Sequence, residues 1–356
     1  MPSDFSSFFE RTRNARKVLV VDLGFLGDSV HLIPACWELR RHYPGAEVHT
    51  LSSVVGSEVL RLAPCVDRAW AYPLGNPSPP WWRHLDILRA IRRERVEVAI
   101  SFSGGDRPVL ITALSGARHR LVHDSGRHHF YNRWIVGDWV PRRPRNLPVF
   151  EQRRQVLAAC GMTLEPPRFG LRIPEEAREW AARTLPAGVI HVSPNASHPL
   201  KEWPLDHWLA LVPRLAASTG RRLVATGDGS ARERGRLEAL SRAFPESLVM
   251  TLPERLPLDR LAAVLQRSAL HVGADSGVTH LAMAVGTPTV TVYRDYDGRI
   301  EWTPPGPEHR QRIAACDCVR SPQENCVREQ RALCLGRISP ESLLELCVGQ
   351  LRGSVG

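Results

Sequence analysis

Ala269-Leu-His-Val-Gly-Ala-Asp-Ser-Gly-Val-Thr-His-Leu-Ala-Met-Ala-Val-Gly-Thr-Pro-Thr-Val-Thr-Val292 is the stretch whose reading decides the fold. The run Leu270–Val272 enters a small polar turn, Gly273–Gly277, and a helical pattern follows at once. Strand, glycine turn and helix start, in that order, present backbone N–H groups and the positive end of a helix dipole to a phosphate. The same order stands near the beginning, where Val18–Asp22 leads into Gly24-Phe-Leu-Gly27-Asp28-Ser29. Two such units far apart in one chain predict two domains facing a shared cleft, and a transferase that handles a nucleotide-activated substrate.

Outward from these turns, strands and helices alternate. Lys17–Asp22, Glu47–Ser52, Asp67–Tyr72 and Val96–Phe102 read as strands, with helical patterns at Val30–His42, Val55–Leu62 and Trp82–Glu94 between them. The Pro-rich passage Glu165–Pro174 and a helical Glu175–Leu185 interrupt the pattern. Alternation then resumes with strands at Gly188–Ser193, Arg221–Thr226, Leu248–Leu252, Ala269–Gly273 and Pro288–Tyr293. Alternating apolar strands and helices imply an α/β chain of two doubly wound, Rossmann-like parallel sheets covered on both faces. Ligands of such sheets bind beyond the carboxyl ends of the strands, where both glycine turns fall. The expected division is a first Rossmann-like domain over 1–165, a linker over 166–187, a second Rossmann-like domain over 188–338, and a C-terminal helix over 339–356 returning to the first domain.

At 356 residues the chain has room for two cores. No apolar run reaches the roughly 18–20 residues of a membrane span, and the first residues lack a signal peptide's basic-then-apolar order. The expected place is therefore the cytoplasm. Net charge is +10, and between Arg83 and Arg154 fifteen arginines face seven acidic residues. That surplus suits a polyanionic partner or an arginine-decorated solvated surface. No zinc finger or RNA-recognition signature points to nucleic acid. Only two of the 47 cations are lysines, Lys17 and Lys201, and in so Arg-biased a chain a lysine marks a candidate site for a compact ammonium.

The candidate site residues lie on the turns. Asp28 is placed either to cap a helix or to act as a general base. In the loop Ser193-Pro-Asn195-Ala196-Ser-His-Pro-Leu-Lys201-Glu-Trp-Pro204, Asn195 tolerates a tight turn and Lys201 supplies a point charge near a diphosphate. Ser276 and Gly277 offer N–H groups to phosphate. Asp275 bonds sugar hydroxyls or caps the helix, and His280 faces ligand or packs in the core. Gly227-Asp-Gly229 with Glu233 is a weak ribose signal. Cys316, Cys318, Cys326 and Cys334 form a cluster compatible with a structural metal, although Cys-x-Cys is tighter than the usual ligand spacing.

In this order and spacing, Leu26-Gly-Asp28 with Pro34, Tyr43-Pro-Gly-Ala46, Pro194-Asn-Ala196, Lys201-Glu-Trp-Pro204, Asp275-Ser-Gly277 with His280, and Pro304 with Gly306 resemble the bacterial lipopolysaccharide heptosyltransferases of glycosyltransferase family 9. The resemblance covers nearly the whole chain. It implies a GT-B fold, an ADP-heptose donor, inverting transfer with Asp28 as base, and no cofactor or catalytic metal. It further implies donor contacts from Lys201, Glu233, Asp275, Ser276, Gly277 and His280. The implied acceptor is an anionic glycolipid, the lipopolysaccharide inner core, at the inner membrane face. Two departures stand on the donor side: Asn195 replaces a common Gly, and Tyr293-Arg294 replaces an aromatic-Gly pair. Rival readings are a heptosyltransferase acting on an autotransporter protein, a nucleotide-sugar epimerase, and a non-catalytic nucleotide-sugar binder.

Overall fold

A parallel strand covered by helices on both faces has no side for polar residues, and Val18–Val21 are fully buried accordingly. In the computed structural model, which describes residues 5–74, 80–124, 135–141, 146–296, 298–316 and 324–353, the chain divides into two units, 1–172 and 173–356. Unit 1 holds β1 (Lys17–Val21), β2 (Glu47–Ser53), β3 (Arg68–Tyr72), β4 (Val98–Ser101), β5 (His119–His123) and β6 (Asp138–Val140). All pair in parallel in the order β3-β2-β1-β4-β5-β6. Unit 2 holds β7 (Val189–Ser193), β8 (Leu223–Thr226), β9 (Val249–Leu252), β10 (Ser268–Ala274), β11 (Thr289–Arg294) and β12 (His309–Ala314). Its order, β12-β11-β10-β7-β8-β9, is the same arrangement read from the other edge.

Both sheets are thus doubly wound, and each changes winding direction between its first and fourth strands. In unit 1 that point lies between β1 and β4, and in unit 2 between β7 and β10. The fold class expected from the sequence is the one observed. β5, β6 and β12 were not legible: β6 has three residues, β5 is flanked by histidines, and edge strand β12 carries His309, Arg310, Gln311 and Arg312 in succession.

The helix Glu175–Thr184, expected in the linker, belongs to unit 2, where Trp180 packs with Leu185, Val189, Val224 and Val264. The final helix, Pro340–Gly353, also belongs to unit 2 rather than returning to the first domain. Its Leu343 and Cys347 are fully buried in a core with Trp203, Trp208, Leu211 and Val290. Among the described residues no helix is long and apolar enough to cross a membrane.

Candidate functional site

In unit 1, β1 delivers Asp22 to the switch point, and the turn Gly24–Phe25 leads into the short helix Leu26–Val30. A side chain at Gly24 would overlap the Asp28 side chain, so the close turn requires glycine there. Asp28 Oδ2 accepts the Phe25 N–H at 2.9 Å, so the capping role is real. Its other oxygen is 3.8 Å from Arg153 Nη2, and the side chain keeps 27% exposure.

Arg153, from the helix Val149–Ala159, ties the turn together. It donates to Asp22 Oδ2 at 2.5 Å and to the Asp28 carbonyl. Both Arg153 and Asp22 are buried, and burial pushes the Asp22 carboxyl up while the guanidinium pulls it back. Sequence reasoning missed this pair because 131 residues separate its members. The only signal was an acidic residue closing an apolar strand. Phe25, one turn residue from the helix, is 83% exposed.

In unit 2 the register aligns Gly273 of β10 with Ser193 of β7, and β8 flanks β7 on the other side. The turns after β10, β7 and β8 therefore stand side by side along one edge of the sheet. They carry Asp275–Gly277, Ser193–Lys201 and Gly227–Glu233 respectively. Ser276 is the N-cap of the helix Gly277–Ala284. Its Oγ is buried with no hydrogen-bond partner among the described residues, as are both amide atoms of Asn195. Buried polar atoms without partners cost about 1–3 kcal/mol each, and a polar ligand recovers that cost.

Lys201 does not stand alone: its Nζ lies 2.8 Å from Asp275 Oδ2, which also accepts from Tyr296 Oη at 3.1 Å. Asp275 therefore anchors the ammonium instead of capping the helix. Two of the three ammonium hydrogens remain for other acceptors. Glu233 Oε2 accepts the Asp228 N–H at 2.8 Å, and burial pushes its carboxyl up to about 7.

Other residues expected at the donor have partners within the protein. Gly227 spends its N–H on the Leu252 carbonyl. Ala196 donates to Glu202 Oε1 at 3.2 Å, and its carbonyl accepts from Arg232 at 2.6 Å. Ser193 Oγ donates to the Asn195 carbonyl at 3.4 Å. His280 is buried with its ring centroid 5.7 Å from that of Trp302. The thiols of Cys316, Cys326 and Cys334 do not converge as a ligand set, and Cys318 lies outside the described residues.

Known proteins resemble this chain in sequence and in fold. The sequence model of glycosyltransferase family 9 (heptosyltransferase) matches residues 85–333, more than half of the chain. Lipopolysaccharide heptosyltransferase 1 of Salmonella typhimurium is 23% identical over 344 residues, covering 90% of this chain and 99% of that protein. A family 9 glycosyl transferase from Veillonella parvula superposes with TM-score 0.82 at 18% identity, over 96% of this chain and 98% of that one. Heptosyltransferase II of Escherichia coli, described as an ADP-heptose lipopolysaccharide heptosyltransferase, superposes with TM-score 0.77 at 19% identity, over 96% and 100%. These two structures share the fold.

Proposed function

The chain belongs to glycosyltransferase family 9, the heptosyltransferases, and from that premise we propose that it moves a heptose from ADP-heptose to a sugar of the lipopolysaccharide core with inversion at the anomeric carbon. The observation that carries the donor half is the unit 2 edge. There the start of the helix Gly277–Ala284, the unpartnered Ser276 Oγ and Asn195 amide, and the anchored Lys201 ammonium stand on neighbouring turns.

In this reading the diphosphate meets the helix N-terminus, whose unpaired N–H groups and dipole favour anions. Lys201 adds a point charge, moderated by Asp275. Glu233, whose Oε2 accepts the Asp228 N–H, holds ribose hydroxyls. In unit 1, Asp28 accepts the proton of the acceptor hydroxyl as that oxygen bonds to the anomeric carbon. The bond from that carbon to the phosphate oxygen breaks, and ADP departs with the electron pair. Charge developing on ADP is met by groups already fixed before reaction, the arrangement that lowers such barriers most. The arginine surplus of unit 1 suits an acceptor bearing phosphates and carboxylates at the inner face of the cytoplasmic membrane.

The test is to titrate ADP and ADP-heptose into wild type and Asp28→Ala by calorimetry, then follow ADP release with truncated lipopolysaccharide. Equal ADP affinity with release lost in the variant is expected. Release persisting at the wild-type rate in Asp28→Ala removes Asp28 as the base. Donor binding without release to any glycolipid, but with release to an autotransporter protein, moves the acceptor to protein.

A further inference from the structure

Two histidines that the proposed reaction does not use lie inside the sheet of unit 2. His191 on β7 and His271 on β10 are opposite each other in the parallel register, both fully buried. Their Nδ1 atoms are 2.8 Å apart and the rings stack at 5.0 Å between centroids. The outer nitrogens are bonded as well: His191 Nε2 to Thr226 Oγ1 at 2.9 Å, and His271 Nε2 to Thr279 Oγ1 at 3.1 Å. Thr279 Oγ1 lies 2.8 Å from the Ala274 carbonyl.

The protons can be placed by working back from the carbonyl, which only accepts. The Thr279 hydroxyl donates to Ala274, so its oxygen accepts from an N–H on His271 Nε2. Neutral His271 then has a bare Nδ1, and the proton between the rings must sit on His191 Nδ1. His191 Nε2 is bare in turn and accepts from the Thr226 hydroxyl. One directional chain results, from Thr226 through His191, His271 and Thr279 to Ala274, with each hydrogen used once. A second proton on His271 would set two N–H groups against each other at 2.8 Å.

We propose that this chain is the positioning device of the donor site, tying the strand that leads to Gly227–Glu233 to the turn that presents Ser276 and Gly277. The inference rests on the donor reading above. Its two ends are the residues just before the ribose and diphosphate turns, Thr226 and Ala274. Gly273 supports the assignment independently: a Cβ there would stand 2.7 Å from His271 Nε2, so only glycine lets that nitrogen reach Thr279. The strands hydrogen-bond through their backbones whatever these side chains do, so fold formation does not call for the chain. Alignment of the helix start with the neighbouring turns does.

Thr279→Val keeps the shape and removes the hydroxyl, stranding the His271 N–H and releasing the Ala274 carbonyl. The expected result is a folded protein whose ADP affinity falls about tenfold, the equivalent of one lost hydrogen bond. The turnover rate at saturating donor stays within about twofold, and Thr279→Ser restores affinity. Nitrogen-15 long-range spectra of the wild-type protein should show the proton on Nδ1 of His191 and on Nε2 of His271. Wild-type ADP affinity in folded Thr279→Val, or the opposite tautomers, overturns the proposal. Absence of ADP binding by the wild type instead overturns the donor reading, and the tautomer spectrum separates the two failures.

Discussion

In the proposed reaction, Asp28 and Glu233 carry the two roles most sensitive to a single substitution. Asp28 was readable as cap or base, and the structure gives its two oxygens separate surroundings: one holds the turn through the Phe25 N–H, the other faces Arg153 at 3.8 Å. What the sequence could not reveal is that a buried arginine clamps this turn. Arg153→Met leaves Asp22 buried without its partner, so unfolding free energy should drop by about 3–5 kcal/mol in urea titration. Replacing both, Arg153→Met with Asp22→Leu, should recover much of that stability but not the turnover. Recovery of both would mean that the clamp does not serve Asp28. Glu233 has the opposite electrostatic character. Its carboxyl is pushed up to about 7 by burial, so it ionises as pH rises through that value. A carboxylate accepts ribose hydroxyls better than the neutral acid does. ADP affinity should therefore strengthen between pH 6 and pH 8 in wild type and lose that component in Glu233→Gln. ADP's own phosphate titrates in both proteins, so the difference isolates the side chain, and parallel curves would remove Glu233 from the ribose.

At the scale of the element, the most legible parts are strands whose apolar runs are bounded by turns. The stretch Ala269–Val292 became β10, the helix Gly277–Ala284 and β11 nearly as read. Elements with weak patterns escaped: the edge strand β12, the three-residue β6, and the helix Leu26–Val30, which breaks before Ile33–His42 instead of continuing into it. Lys201 shows why site roles are harder to read than elements. Its scarcity singled it out, yet its pairing with Asp275 came from the adjacency of β7 and β10, a contact between residues distant in sequence. The His191–His271 pair is the same kind of feature, invisible until register placed the two side by side. Burial pushes the His191 imidazole down to about 3 and His271 also well below its ordinary value. A base with a depressed folded pKa stabilises the fold above its unfolded value near 6.5, and that stability is lost as pH falls. Each such histidine contributes a slope of about 1.4 kcal/mol per pH unit below that point. The thermal midpoint should fall from pH 6.5 to pH 5, and fall less in His191→Gln. An equal fall in the variant would assign acid sensitivity to other groups.

At the scale of the whole molecule, the same strand order occurs twice, and each copy places its glycine turns at its own switch point. This repetition was legible because each half alternates strand and helix around a Pro-rich passage; the assignment of the last helix was not. Its apolar face fits a partner helix equally well on either unit by pattern alone, and Leu343 and Cys347 in fact complete the core of unit 2. The family supplies the reaction class, and in the proposed reaction the two units supply complementary chemistry: the Asp28 carboxylate in unit 1, and in unit 2 the edge that carries Ser276, Asn195 and Lys201. The central claim is that these act on one reaction. The most direct measurement is the mass of a truncated lipopolysaccharide acceptor after incubation with ADP-heptose and purified protein, wild type beside Asp28→Ala. Addition of one heptosyl residue by the wild type, matched by ADP released and absent from a variant that still binds ADP, is the predicted result. An unchanged acceptor mass with wild type, or heptosyl addition by both proteins alike, would contradict it.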